Sequence, residues 1–340
     1  MQRIIRKNAW RNLILAILAG AFVASVPDRP RERTVEFTYK ALVNDIPTGA
    51  KKVDLWIPVP HDSPFQRITN LVINSPYPYQ IDTLAYGNRL VHIRIASPQK
   101  TSFTVDMRFT ALRKEHIQER LQGNNPPETA SSQPDMNRWL QPDRLVPIDG
   151  NVKRWAQDVI DKANAKTDLE KARAIYNHII ATVKYDKTGT GWGRGDIYYA
   201  CDVRRGNCSD FHAIFIGYCR AVGIPARFAI GFSLPTERPA GQISGYHCWA
   251  EFYLNGVGWV PIDASEAAKN PAKREYFFGA HDENRIEFTI GRDLTLYPQQ
   301  QEPLNYFIYP YVEADGKPLT TVDKAFTYQN LAGSTVSSKK

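Results

Sequence analysis

Apolar spacing changes period twice along this chain, which restricts it to an α+β architecture. From Val35 to Leu112 the apolar residues alternate. Val35, Phe37 and Tyr39 form one set, then Val53, Leu55, Ile57 and Val59, then Val91, Ile93 and Ile95, then Phe103, Val105, Met107 and Phe109. Alternation at period two puts every second side chain on one sheet face. Turn-rich pieces such as Asn74-Ser75-Pro76 and Tyr86-Gly87-Asn88 separate the runs. Several short strands so spaced predict a β-sandwich over 33–113. The next stretch, 114–149, turns to Gln, Asn, Pro and Ser around Gly123-Asn124-Asn125-Pro126-Pro127 and reads as a linker or exposed loop. Beyond it the spacing becomes helical. Val152, Ala156, Val159 and Ile160 mark one helix, and Leu169 through Val183 a second, capped by Thr167. The runs Arg285 to Ile290 and Tyr306 to Val312 return to a strand pattern, and the end of the chain, 326–340, reads as a flexible tail.

Inside the helical half, three reactive side chain types fall within 56 residues. Cys208 sits in Gly206-Asn207-Cys208-Ser209-Asp210, where a loop turns into a helix marked by Phe211, Ile214, Phe215, Tyr218 and Val222 and ended by Gly223 and Pro225. A thiol at a helix N-terminus meets free amides and the positive end of the dipole, which favour its thiolate. His247 opens one strand-like run and Asp263 ends the next. Nucleophile, base and orienting acid are thus all present. Cys219, deep in the same helix, reads as a core residue. The structural alternative for Cys208 is a small capping or core side chain.

The two runs should form a hairpin at Asn255-Gly256. A two-residue loop would pair Leu254 with Val257 and send His247 and Asp263 to opposite faces. A triad therefore requires an odd-numbered loop or a bulge between Asn255 and Gly258.

Three blocks of the sequence, Gly206 to Phe211 with Arg220 to Arg227, Gly245 to Glu251, and Trp259 to Asp263, resemble the bacterial transglutaminase-like superfamily over about residues 140–290. The resemblance implies a papain-like core of helices packed on an antiparallel sheet, over 150–325, following the sandwich. It implies Cys208 as nucleophile, His247 as general base and Asp263 as its orienter. The family's transition-state donor has three candidate positions here, Tyr185, Trp192 and Asn207. Members of the family include amide cross-linkers, deamidases, peptidases and inactive relatives, so the implied activity is thiol-dependent acyl transfer or hydrolysis at amide bonds of peptide, protein or cell-wall substrates. The alternative is an inactive module that binds such ligands.

Residues 1–25 read as an export signal: Arg3, Arg6, Lys7 and Arg11 precede an apolar run from Leu13 to Val26, with small-residue cleavage options. That run is short against the ~20 residues of a spanning helix. The expectation is a periplasmic or extracellular protein, touching membrane only if the segment stays uncleaved. Its four basic side chains account for half of the net +8, so the remainder carries 39 basic and 35 acidic residues, +4. With no dense basic run interleaved with aromatics, nucleic acid is excluded as a partner class. No motif calls for a cofactor or metal. A zinc set of Cys208, His212 and His247 is the competing chemistry, weakened by the lack of any Cys-x-x-Cys pair. Cys208 and Cys219 lie on the order of 16 Å apart on one helix at ~1.5 Å per residue and cannot bond. Cys201 could pair with Cys219 or Cys248, although four reduced thiols are expected. His61, His92, His116 and His281 read as surface or turn residues, His178 as half-buried, and Gly189, Gly191, Gly193 and Gly195 as a mobile loop.

Overall fold

The computed structural model describes residues 30–121 and 136–331. The export segment, part of the 114–149 stretch and the last nine residues of the expected tail lie outside the described residues. Six strands come first: β1 (Glu32–Val43), β2 (Lys52–Val59), β3 (Gln66–Asn74), β4 (Gln80–Thr83), β5 (Arg89–Ala96) and β6 (Phe103–Lys114). Helices α1 (Gly150–Ala163), α2 (Asp168–Thr182), α3 (Ile197–Val203) and α4 (Cys208–Ala221) follow. The chain then forms β7 (Ala226–Ser233), β8 (Ala240–Ile243), β9 (His247–Leu254), β10 (Gly258–Ile262), helix α5 (Ala264–Lys269), β11 (Arg285–Ile290), β12 (Tyr311–Ala314) and β13 (Val322–Asn330). The caps are chemically ordinary. Asp149 and Thr167 accept backbone N–H groups at the starts of α1 and α2, and Glu170 returns the bond to Thr167.

The strands make three antiparallel sheets. One runs β8-β13-β1-β6-β3, a second β12-β2-β5-β4 with the short pair Lys317–Pro318 beyond β12, and a third β10-β9-β7-β11. Strand β1 alternates as expected, burying Val35, Phe37, Tyr39, Ala41 and Val43. The mixed α and β architecture with a sandwich-like N-terminal region agrees with the sequence pattern.

Two boundaries differ from those expected. The sandwich does not close on residues 33–113. Strand β1 has β6 on one side and needs a second partner, and β13 supplies it, pairing Val35 with Asn330 through Val43 with Val322. Residues 326–330 are therefore a strand with Phe326 and Tyr328 buried, not part of a flexible tail. Pairing across nearly the whole chain leaves no local signal. Likewise only Tyr311 and Val312 of the Tyr306 to Val312 run lie in a strand, Tyr311–Ala314, which extends the second sandwich sheet beside β2. One hydrophobic core runs through both halves. The Phe37 ring lies 5.4 Å from Phe232 and 5.9 Å from Phe288, and Phe232 lies 4.4 Å from Phe326.

Helix α4 sits at the centre of the other half. Every residue from Cys208 to Arg220 is buried, not one apolar stripe alone, because α1, α2, α3, α5, β7 and β9 all pack on it. Gly217 permits this closeness: a side chain there would overlap Ile197 and press Val146. Arg220 is buried too, with Nη1 2.7 Å from Asp143 Oδ2.

Truncation after Thr321 should remove the ladder on β1 and expose the apolar faces it meets. Burial of Phe326 and Tyr328 contributes about 1.5–3 kcal/mol for each side chain. Differential scanning calorimetry should show Tm falling by about 5 °C or more. An unchanged Tm would mean that β13 contributes no stability.

Candidate active site

Cys208 is the first residue of α4, and its position is fixed from both sides of the helix start. Asn207 caps the helix, its side-chain oxygen accepting Ser209 N–H at 2.9 Å. Asp210 closes the capping box and reaches further. Its Oδ2 accepts N–H from Asn207 at 2.9 Å and from Gly193 at 2.7 Å, and its Oδ1 accepts Gly195 N–H at 3.1 Å. One buried carboxylate thus ties the glycine-rich loop to the helix that carries the thiol. Gly206 is required here because any side chain would overlap the Asp210 carboxylate. The loop expected to be mobile is held at Gly193 to Gly195. Arg292 donates to the Gly195 and Arg194 carbonyls at 2.8 and 3.0 Å, and Tyr306 OH donates to Gly193 O at 3.1 Å.

His247 starts β9, and the hairpin that follows has the parity a triad needs. Leu254 pairs with Gly258, leaving a three-residue loop of Asn255, Gly256 and Val257. Continuing that register by one step sets Asp263 beside Trp249, on the same face as His247. His247 Nε2 lies 2.7 Å from Asp263 Oδ2. With Nε2–H donated there, Nδ1 is the ring nitrogen left for the thiol. Asp263, completely buried, accepts three further bonds. Ser265 Oγ donates to Oδ1 at 2.9 Å, Glu266 N–H to Oδ1 at 3.0 Å, and Arg285 Nη1 to Oδ2 at 3.2 Å.

The electrostatics favour a charged pair. Burial alone would push the Cys208 thiol up, but hydrogen bonds from Cys248 and His247, with the charge of the imidazole, hold it well below the ordinary thiol range. Burial alone would lower His247. The Asp263 carboxylate and the Cys208 sulfur outweigh it and push the imidazole up to about 10. Asp263, which burial would raise, is held well below the carboxylate range by His247 and Arg285. Cys248, whose sulfur lies 3.6 Å from Ser209 Oγ, is pushed well up, first by burial and then by the neighbouring Cys208. Its proton therefore stays in place and can be donated toward Cys208. Cys219 is likewise raised by burial.

Of the three donor candidates, Tyr185 pairs with Gly206 two residues before the thiol, and burial raises its phenol. Trp192 gives its indole N–H to Gly189 O at 3.1 Å within its own loop. Asn207 spends its amide on Tyr246 OH at 3.0 Å. Tyr246, which the sequence reading passed over, also contacts Ser209 Oγ at 3.0 Å and lies beside His247. Asp210 and Arg285 were passed over too, although the Asn-x-x-Asp spacing of a capping box was visible for the first. The zinc set does not assemble. His212 is fully buried with Nδ1 3.8 Å from Cys248 Sγ and Nε2 3.7 Å from Asp263. Among the described residues the group with metal-ligand spacing is His247, Asp263 and Glu266, in which His247 Nε2 and Asp263 Oδ2 are already bonded to each other.

The other histidines correct the surface reading. His92 is buried against Asp54 at 2.8 Å, His116 stacks on Phe65 at 3.6 Å, and His281 is fully buried against Trp249. His61 is half-buried, its Nδ1 3.2 Å from Phe288 O. Residues 116–117 pair with 280–281, a contact between distant segments that buries both histidines at once. All four cysteines are free; Cys201 is half-buried and the others are buried.

Residues 153–264 match the Transglutaminase-like superfamily. An uncharacterised protein of Haemophilus influenzae is 29% identical over 326 residues, covering 84% of this chain and 88% of that one. The uncharacterised protein YebA of Bacillus subtilis is 28% identical over 81 residues, 21% of this chain and 11% of YebA. A candidate cysteine protease from Cytophaga hutchinsonii superposes with a TM-score of 0.60 at 17% identity, covering 89% of this chain and 91% of that one, a likeness of fold.

If Asp263 is what raises the imidazole, Asp263→Asn should bring the His247 titration, followed by NMR of the ring, down from about 10. It should fall toward the free value of about 6.5, because burial is then opposed chiefly by the Cys208 sulfur. A midpoint that stays near its original value would show that the carboxylate does not set the charge of His247.

Proposed function

We propose that this chain, whose core is transglutaminase-like, is a thiol enzyme that transfers or hydrolyses acyl groups at amide bonds. The observation that carries the reading is a thiol at the start of a buried helix brought to an imidazole that a buried carboxylate holds at 2.7 Å, an arrangement that favours the thiolate and the imidazolium. In this reading the Cys208 thiolate attacks the amide carbonyl, a C–S bond forms, and the carbonyl electron pair moves to oxygen. Cys208 N–H, in the first turn of α4, is the donor this reading sets against that oxyanion, together with the helix dipole. The imidazolium of His247 gives a proton to the departing nitrogen as the C–N bond breaks, leaving a thioester on Cys208. Neutral His247 then takes a proton from the incoming water or amine, which attacks the thioester and releases the thiolate. Asp263 stays anionic throughout.

The amide donor is taken to be a peptide, protein or cell-wall fragment. The fold shared with a candidate cysteine protease supports an acyl donor of peptide type. The basic-then-apolar leader supports an exported location. Among the described residues, no helix is long and apolar enough to cross a membrane.

Intact-mass spectrometry of the protein with a panel of peptide and wall-fragment amides should reveal an acyl adduct on Cys208. Cys208→Ala should lose the adduct and at least roughly a thousandfold in turnover, with little change in Tm. Cys219→Ala should keep both adduct and turnover. Full amide-processing activity in Cys208→Ala would contradict the proposal.

A further inference from the structure

Arg285 begins β11 opposite Ser233 and is almost completely buried. Its guanidinium spans two carboxylates, Nη1 3.2 Å from Asp263 Oδ2 and Nη2 3.4 Å from Asp282 Oδ2. Its carbon centre lies 5.1 Å from the Trp249 ring and 6.0 Å from the Phe277 ring. We infer that Arg285 is a positioning residue of the catalytic triad: by clamping Asp263 to Asp282 it fixes the carboxylate that orients His247, and through it the imidazole that faces Cys208. This rests on the thiol-enzyme reading above.

The geometry gives two reasons. The first is orientation. Asp263 Oδ2 takes both His247 Nε2 and Arg285 Nη1, while Oδ1 takes Ser265 and Glu266 N–H. Without Arg285, the bond to His247 would be the only contact holding Oδ2, and that bond changes strength as the imidazole gains and loses its proton. A planar guanidinium with a fixed fork holds the carboxylate whatever the state of the ring. The second reason is charge. When His247 releases its proton, Asp263 would become a buried anion with no cation beside it, which is costly. Arg285 remains protonated and keeps Asp263 ionised at every stage, so the imidazolium beside Cys208 keeps its counter-charge. Asp282, Asp263, Glu266, His281, His116 and Arg113 are charged or titratable groups around it. Stability alone does not account for the residue, because a buried ion pair is a weak source of stability beside an apolar side chain of similar volume.

The test is the alkylation rate of Cys208 by iodoacetamide at about pH 6 in the full chain, where an ordinary thiol near 8.5 reacts slowly. Wild type should react fast and His247→Ala slowly. Arg285→Met should react roughly tenfold more slowly than wild type, equivalent to about one pKa unit at the thiol, with native near-ultraviolet dichroism. The slowing should fade at about pH 10, where an ordinary thiol is itself ionised. A purely structural role predicts no such dependence on pH. A folded Arg285→Met variant within about twofold of wild type would overturn the inference. Should that variant fail to fold, Arg285→Lys decides. Lysine keeps the charge but cannot fork between two carboxylates, so slowing of about threefold or more is expected, and the wild-type rate would overturn the inference. Slow wild-type alkylation unaffected by His247→Ala would instead overturn the thiol-enzyme reading, and the role of Arg285 with it.

Discussion

The complete burial of α4 is the constraint on which the rest of the molecule depends. A helix with no exposed side from Cys208 to Arg220 cannot slide or rotate without disturbing helices and strands all around it. Its first turn is therefore a fixed point, and the thiol at that turn inherits the fixity. Asp210 extends it outward by binding the N–H groups of Asn207, Gly193 and Gly195, so the loop beside the sulfur is positioned by the same helix. On the other side the sheet that packs on α4 brings in His247. The thiol and the imidazole thus come from two rigid elements.

Burial also sets the electrostatics. Taken alone, it would neutralise Cys208, His247 and Asp263, raising the thiol and the carboxylate and lowering the imidazole. Neighbours drive each toward its charged form against that tendency, so no charge in the set is independent of the others. Removing any one should change the protonation of the remaining two. This coupling makes Arg285 significant: its charge does not depend on proton movements in the site.

Much of this was legible in the sequence, for identifiable reasons. The Cys, His and Asp positions stand at element boundaries, where local pattern is strong, and the hairpin parity requirement could be stated from Leu254, Asn255 and Gly258 alone. Caps at Thr167 and the helix stop at Gly223 are equally local. What escaped notice depends on contacts between distant segments. His116 and His281 are buried because two short strands, far apart in the chain, pair. Residues 322–330 form a strand because β1 has an open edge. Arg285 reaches Asp263 from a strand that follows it by more than twenty residues, and no spacing rule announces such a contact. The glycines suggested freedom, yet their positive φ values at 193 and 195 serve a conformation that Asp210 and Arg292 hold in place.

The central claim is that Cys208 exists as a thiolate against a protonated His247 in the resting protein. The direct measurement is the ultraviolet absorbance of the thiolate, taken as the difference between wild type and Cys208→Ala from about pH 4 to about pH 10. A free thiol titrates near 8.5. The account predicts thiolate absorbance already present below neutrality and unchanged through pH 8. Absorbance that appears only near or above the free-thiol value would contradict it, leaving Cys208 as a buried, protonated core residue.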